Sequence, residues 1–157
     1  MKILFLVVGK TNGHYFNEAI NDYRNRLKFY IPFDMEVIPE LKNAKNLSFD
    51  QQKEKEADLI LKSLQGGDHV VLLDEKGKEF TSSQFAGYIE RKMHTVNKRL
   101  VFIVGGPYGF SPRIYGIAAE KVGLSKMNFS HQMVRLFFIV QIYRAFTIIH
   151  NEPYHHE

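Results

Sequence analysis

The residue types best suited to chemistry lie between Leu100 and Arg144. The apolar run Leu100-Val101-Phe102-Ile103-Val104 leads straight into Gly105-Gly106-Pro107-Tyr108-Gly109. A strand that ends in glycines leaves a backbone-lined notch, because glycine reaches positive φ and admits close approach of a ligand. Open α/β sheets bind ligands outside the carboxyl ends of their strands. Further on, Leu124-Ser125-Lys126-Met127-Asn128-Phe129-Ser130-His131 precedes a long apolar helix that carries Tyr143 and Arg144. We read the whole stretch as a cofactor pocket that the other segments hold in place. Leu73 and Asp74 end a separate strand. If that strand neighbours 100–104, the two tips share one rim, where backbone amides and apolar side chains would hold a flat ring such as adenine.

Other chemical signals are weaker. Gly9-Lys10-Thr11 looks like the end of a phosphate-binding Walker loop, but that motif needs a glycine five residues before Gly9, where Leu4 stands. Gly105–Gly109 is no dinucleotide fingerprint, since its spacing differs and Pro107 lacks an N–H. The run Lys53-Glu54-Lys55-Glu56 reads as a solvated helix face. His150, His155 and His156 cluster near the end without regular ligand spacing, so no metal site is expected. The absence of cysteine removes disulfides, zinc-thiolate sites and cysteine nucleophiles. The tail Pro153-Tyr154-His155-His156 is rich in aromatic and imidazole groups for a chain end, and docking near a functional site is expected of it.

The elements that must position these groups alternate. Residues 2–8 form a continuous apolar run, the mark of a central strand covered on both faces. A turn at Gly9–Gly13 follows, then a helix from Tyr15 to about Tyr30 that Pro32 is expected to end. Asp34 to Ile38 is a short strand, and residues 40–50 a polar surface loop without chemistry. Ser48 is a plausible cap for a helix to about Leu64. Asp68–Asp74 is the third strand, ending at Glu75-Lys76-Gly77-Lys78. Ser82 or Ser83 starts a helix to His94. A short helix near Ser111–Ala118, a brief strand at Lys121–Leu124 and a final helix capped by Ser130 complete the chain. The alternation predicts an α/β fold with a mostly parallel sheet flanked by helices, in one domain spanning 1–157.

At 157 residues with 45% hydrophobic and 24% charged residues, the composition is that of an ordinary soluble protein. The net charge of +4 suits a phosphate-bearing partner without demanding one. The apolar amino terminus is short and interrupted by Lys10, so a buried strand is expected there and not a signal peptide. The last helix is about membrane-spanning in length, but Arg135, Gln141 and Arg144 would be costly in lipid. A cytoplasmic protein without membrane association is the expectation. That helix is apolar on nearly every face, which predicts a homodimer through it.

Val104-Gly105-Gly106-Pro107-Tyr108-Gly109, Leu124–Gln132, Tyr143-Arg144-Ala145 and Pro153-Tyr154-His155 together resemble the ribosomal RNA large-subunit methyltransferase H family, the smallest knotted SPOUT enzymes. The resemblance covers essentially the whole chain. It implies an α/β knot with a carboxy-terminal trefoil, and S-adenosylmethionine-dependent methylation of N3 of a pseudouridine in 23S rRNA of the ribosome. It further implies a homodimer with its active sites at the subunit interface. By position, Leu73, Gly105, Leu124, Ser125, Lys126, Met127, Asn128 and Phe129 would line the cofactor pocket. Arg144, Tyr154 and His155 would sit at the reaction centre, the tail reaching the partner's site. Two departures stand out: His156 replaces a common Lys or Arg, and Val140 replaces a frequent glutamate.

A sulfonium methyl is already activated, so such a reaction requires alignment and exclusion of water without a metal or a covalent intermediate. The N3 proton must leave before or during transfer, with His155 or Tyr154 as the base. Arg144 would stabilise charge developing on the uracil carbonyls. The competing class is a non-enzymatic RNA- or ribosome-binding protein on the same fold, which would not bind S-adenosylmethionine.

Overall fold

The uninterrupted apolar run near the amino terminus becomes β1 (Lys2–Val8), and its side chains divide between two cores by the two-residue period of a strand. Ile3, Phe5 and Val7 face one layer of helices, and Leu4, Leu6 and Val8 the other. The computed structural model describes residues 1–153. After β1 come α1 (His14–Leu27), β2 (Phe33–Ile38), a 3-10 turn (Ala44–Asn46) and α2 (Phe49–Ser63). Then follow β3 (His69–Glu79), α3 (Ser82–Thr95), β4 (Arg99–Val104), α4 (Pro112–Ile117), β5 (Glu120–Gly123) and α5 (His131–Ile149).

The five strands form one sheet in the order β2-β1-β4-β3-β5, with every pair parallel. Parallel strands need crossover connections, which is why helices cover both faces. On one face, α1, α3 and α5 bury Ile20, Phe85, Ile89, Phe138, Ile142 and Phe146. Phe138 is the hub, its ring centroid 4.8 Å from that of Phe102 and 5.2 Å from that of Phe5. On the other face, α2 and α4 bury Ala57, Ile60 and Ile114. The strand order is consistent with the carboxy-terminal trefoil knot that the resemblance implies.

Local chemistry sets the helix starts. Ser48 accepts from the Gln51 N–H while the Gln51 side chain accepts from the Ser48 N–H, a reciprocal cap for α2. Thr81 and Gln84 do the same for α3, which starts at Ser82, the first of the two serines predicted to begin it. Ser130 caps α5 as its sequence position suggests.

Three differences from the sequence reading have physical causes. First, α1 stops at Leu27, one turn before Pro32, where the chain tightens as Phe29 donates to the Arg26 carbonyl and Tyr30 to the Leu27 carbonyl. Second, β3 runs on to Glu79 past a register shift between Leu73 and Lys78, pairing with β5 on both sides of it. Gly77 permits this, since a Cβ there would lie 2.6 Å from the backbone of Val122. Third, the charged run of α2 is not a solvated face. Glu56 is 6% exposed, and Glu54 accepts from Ser111 and from Arg113 on α4.

By length and composition α5 could cross a membrane, but it packs on the sheet beside α1 and α3. Its buried Arg135 donates from one Nη to the Val8 carbonyl at 2.8 Å and from the other to the Gly9 carbonyl and Thr11 hydroxyl at 2.8 and 3.0 Å. Gln132 adds bonds to the Lys10 carbonyl and Asn12 N–H. The Gly9-Lys10-Thr11 turn thus spends its polar groups anchoring the start of α5, which explains why no phosphate loop forms there.

Candidate cofactor site

Register places the strand tips together: β3 and β4 are neighbours, with Leu73 opposite Val104, and β5 flanks β3, with Val122 opposite Leu73. Beyond these carboxyl ends opens a cavity of about 620 Å³, within the usual range for small-molecule sites. Leu73, Gly105, Leu124, Ser125, Met127, Asn128 and Phe129, residues that the resemblance assigns to a cofactor pocket, all line it. Lys126 lies exposed on the same loop without lining the cavity. The loop is shaped locally, the Ser125 hydroxyl accepting from the Met127 N–H at 3.0 Å.

The glycine turn is as tight as its composition suggests. A Cβ on Gly105 would meet the Phe110 ring at 3.1 Å, and one on Gly106 would meet a Glu56 carboxylate oxygen at 2.6 Å. Gly109, at φ 84°, donates back to the Gly106 carbonyl and closes the turn. Glu56 therefore lies directly behind the turn. Burial pushes its carboxyl upward from the ordinary value, and a hydrogen bond from Gln52 partly offsets this.

Several cavity residues were not singled out as ligand-binding by sequence reasoning. Asp74 accepts from the Tyr115 hydroxyl and, at 2.8 Å, from the Lys76 N–H. Its partial burial opposes ionisation, but these bonds and nearby lysines outweigh that and hold its carboxyl below the usual range. Tyr115, its ring exposed but its hydroxyl partly desolvated and bonded to that carboxylate, is pushed up to about 12. The rim thus carries a fixed anion able to accept hydrogen bonds from a ligand. His131 also faces the cavity; burial, then the charge of Arg135, lowers its pKa, so it stands as a neutral acceptor or donor near pH 7. The only signal for Asp74 in the sequence was its place at a strand end. His131 had only its place beside the helix cap.

Arg144 is not part of this cavity. It lies on α5 thirteen residues past His131, about 20 Å along the helix axis. Tyr154 and His155 fall outside the described residues. A second, more apolar hollow of about 510 Å³ adjoins the first, sharing Val122, Leu124, Ser125 and Phe129. It continues along α5 past Phe137, Val140 and Gln141 to Phe80 and Ser82. Among the described residues, no group of three His, Cys, Asp or Glu side chains is placed to hold a metal ion.

Fold and cleft together define an α/β protein with an open cavity at the carboxyl ends of its parallel strands. Residues 1–155 match the family model described as "Predicted SPOUT methyltransferase". The chain is 71% identical over 157 residues to ribosomal RNA large subunit methyltransferase H of Parabacteroides distasonis, covering 100% of each. It is 68% identical to the protein of the same name from Phocaeicola vulgatus, again over 100% of both chains. A probable methylase family protein from Haemophilus influenzae superposes with a TM-score of 0.55 at 10% identity, covering 99% of this chain and 70% of that one, a likeness of fold alone. The chain belongs to the SPOUT methyltransferase family and, within it, to the family of ribosomal RNA large subunit methyltransferase H.

Proposed function

We propose that this protein transfers the methyl group of S-adenosylmethionine to N3 of a pseudouridine in 23S rRNA, working in the cytoplasm as a homodimer. The observation that carries the reading is the convergence of Leu73, Gly105 and five residues of the 124–129 loop on one cavity, in a chain 71% identical to a named rRNA methyltransferase. The residues fit the cofactor. Apolar walls from Leu73, Val104 and Leu124 suit an adenine ring, and side chains at Gly105 and Gly106 would crowd the Phe110 ring and the Glu56 carboxylate behind the turn. S-adenosylmethionine supplies the activated methyl group when bound. Asp74 offers an acceptor to its polar groups, and the 124–129 loop excludes water from one side.

A single protomer does not bring Arg144 to its own cavity, because α5 carries that residue about 20 Å from His131. Two copies crossing in antiparallel fashion along α5 would bring the end of one helix toward the start of the other. Arg144 of each protomer would then stabilise charge on the uracil carbonyls in the partner's site, with Tyr154 or His155 taking the N3 proton. The partly exposed apolar side chains Phe137 and Val140 would be covered in that seam.

Large ribosomal subunits from cells lacking this activity, incubated with the protein and S-adenosylmethionine, are expected to gain one methyl group on a pseudouridine by mass spectrometry of the RNA. Absence of transfer, or a cofactor that fails to bind in calorimetry, would overturn the reading.

A further inference from the structure

At the lip of the cavity, Phe49 and Tyr108 stack with ring centroids 4.0 Å apart and planes inclined by 19°. Neither ring is needed by the core: Phe49 is 63% exposed and Tyr108 is 42% exposed. Both are held from behind. Phe49 is the first residue of α2, fixed by the reciprocal Ser48–Gln51 cap, and Tyr108 sits within the closed Gly106–Gly109 turn. Tyr108 lines the cavity, whereas Phe49 stands one ring further out. The segment feeding Phe49 carries exposed Lys42 and Lys45, with no carboxylate between Glu40 and Asp50. Asp50 itself pairs with Lys53 at 3.5 Å.

We infer that the Phe49–Tyr108 pair is a stacking platform for an rRNA base next to the one that is methylated. This rests on the methyltransferase reading above and extends it to a substrate contact. An enzyme that works on a base must take it out of the stack, and the neighbour it leaves then has a bare face. A rigid aromatic surface beside the reaction site replaces the lost partner. Single-stranded RNA bases are commonly held on aromatic side chains in this way, whatever their sequence. Lys42 and Lys45 suit the phosphates flanking such a base. The other candidate for the rings is the adenine of the cofactor, and the two occupants differ in what Phe49 controls.

The test uses Phe49→Leu, which keeps apolar bulk but removes the flat face, and Phe49→Trp, which enlarges it. Methylation of large ribosomal subunits is followed at saturating S-adenosylmethionine, and cofactor affinity is measured separately by calorimetry. Phe49→Leu is expected to raise KM for the subunits about five-fold or more, the low end of measured base-stacking contributions. Its kcat, cofactor Kd and thermal midpoint should stay within two-fold or two degrees or so of the parent. Phe49→Trp should restore KM. Tyr108→Leu should raise KM as well. An unchanged KM in Phe49→Leu overturns the platform, and so does a rise in KM matched by an equal weakening of cofactor binding. A parent protein that methylates no ribosomal RNA sinks the reading beneath the inference and the inference with it, whereas a defect confined to the variants does not.

Discussion

Gly106 and Glu56 illustrate how much a single contact decides at the site. Glycines at a strand end equally suit an ordinary tight turn, and only jointly with Leu73-Asp74 at the end of a second strand was the notch at Gly105-Gly106 legible. The glutamate behind it was not, because Lys53-Glu54-Lys55-Glu56 has the look of a face turned to water. Only the crossover that lays α2 against the turn after β4 shows that Glu56 is buried. A methyl group on Gly106 would lie 2.6 Å from its carboxylate oxygen, too close for either to stay in place. Overpacking of this kind costs about 1–3 kcal/mol, and here the strain falls on the turn that lines the cavity. Gly106→Ala is therefore expected to weaken S-adenosylmethionine binding by about ten-fold, equivalent to about 1.4 kcal/mol. Adding Glu56→Ala should recover much of that loss by vacating the space. Calorimetry on both variants and their combination gives the coupling directly. If Gly106→Ala binds the cofactor like the parent, the close approach has no part in shaping the site.

At the level of elements, alternation of apolar runs with amphipathic segments was enough to read off five strands, the parallel sheet and most helix boundaries. What escaped was non-local. The continuation of β3 through Glu75-Lys76-Gly77-Lys78 has no apolar alternation to signal it and depends on β5 arriving alongside. The amino ends of β3 and β4 are joined by another long-range contact, the forked Arg99–Asp68 pair with bonds of 2.6 and 2.9 Å. Arg99 also donates to the Ser63 carbonyl at the end of α2, so one side chain ties three elements together. Burial alone would raise the Asp68 pKa, but the bonds from Arg99 and the Gln65 N–H more than offset it and leave the carboxyl below its ordinary value. A folded-state pKa below the unfolded one, about 3.9 for aspartate, stabilises the protein above that unfolded value. The contribution fades as pH falls through the folded value. Asp68→Asn is expected to cost about 1.5–3 kcal/mol at pH 7, the range for hydrogen bonds to charged groups. The gap between variant and parent should shrink steadily below about pH 4. Urea unfolding at pH 7 and in acid measures both, and a gap that does not depend on pH would show that the charge of Asp68 contributes nothing.

On the scale of the whole molecule, the separation between the cavity and Arg144 follows from thirteen residues of helical rise, but only the strand order shows that the cavity opens at the start of that helix. The apolar outer face of that helix is the reason for proposing a second copy, and Arg144 can act at a cavity only if that proposal holds. A twofold interface is self-complementary, so each active site would draw its cofactor pocket from one protomer and Arg144 from the other. Arg144→Ala should then abolish transfer while leaving cofactor affinity within a few-fold of the parent. Gly105→Val should abolish cofactor binding while leaving Arg144 intact. Each variant alone is inactive, but a mixture need not be. In dimers formed from equal amounts of the two chains, half are mixed, and each mixed dimer holds one site carrying both changes and one carrying neither. Co-expression is therefore expected to restore about a quarter of the parent's activity per site. Phe137→Asp, placed in the seam, should give monomers in sedimentation equilibrium and remove that restoration. If the mixture stays as inactive as its components while the chains demonstrably pair, each site is built from a single chain, and Arg144 has no reach to the methyl group.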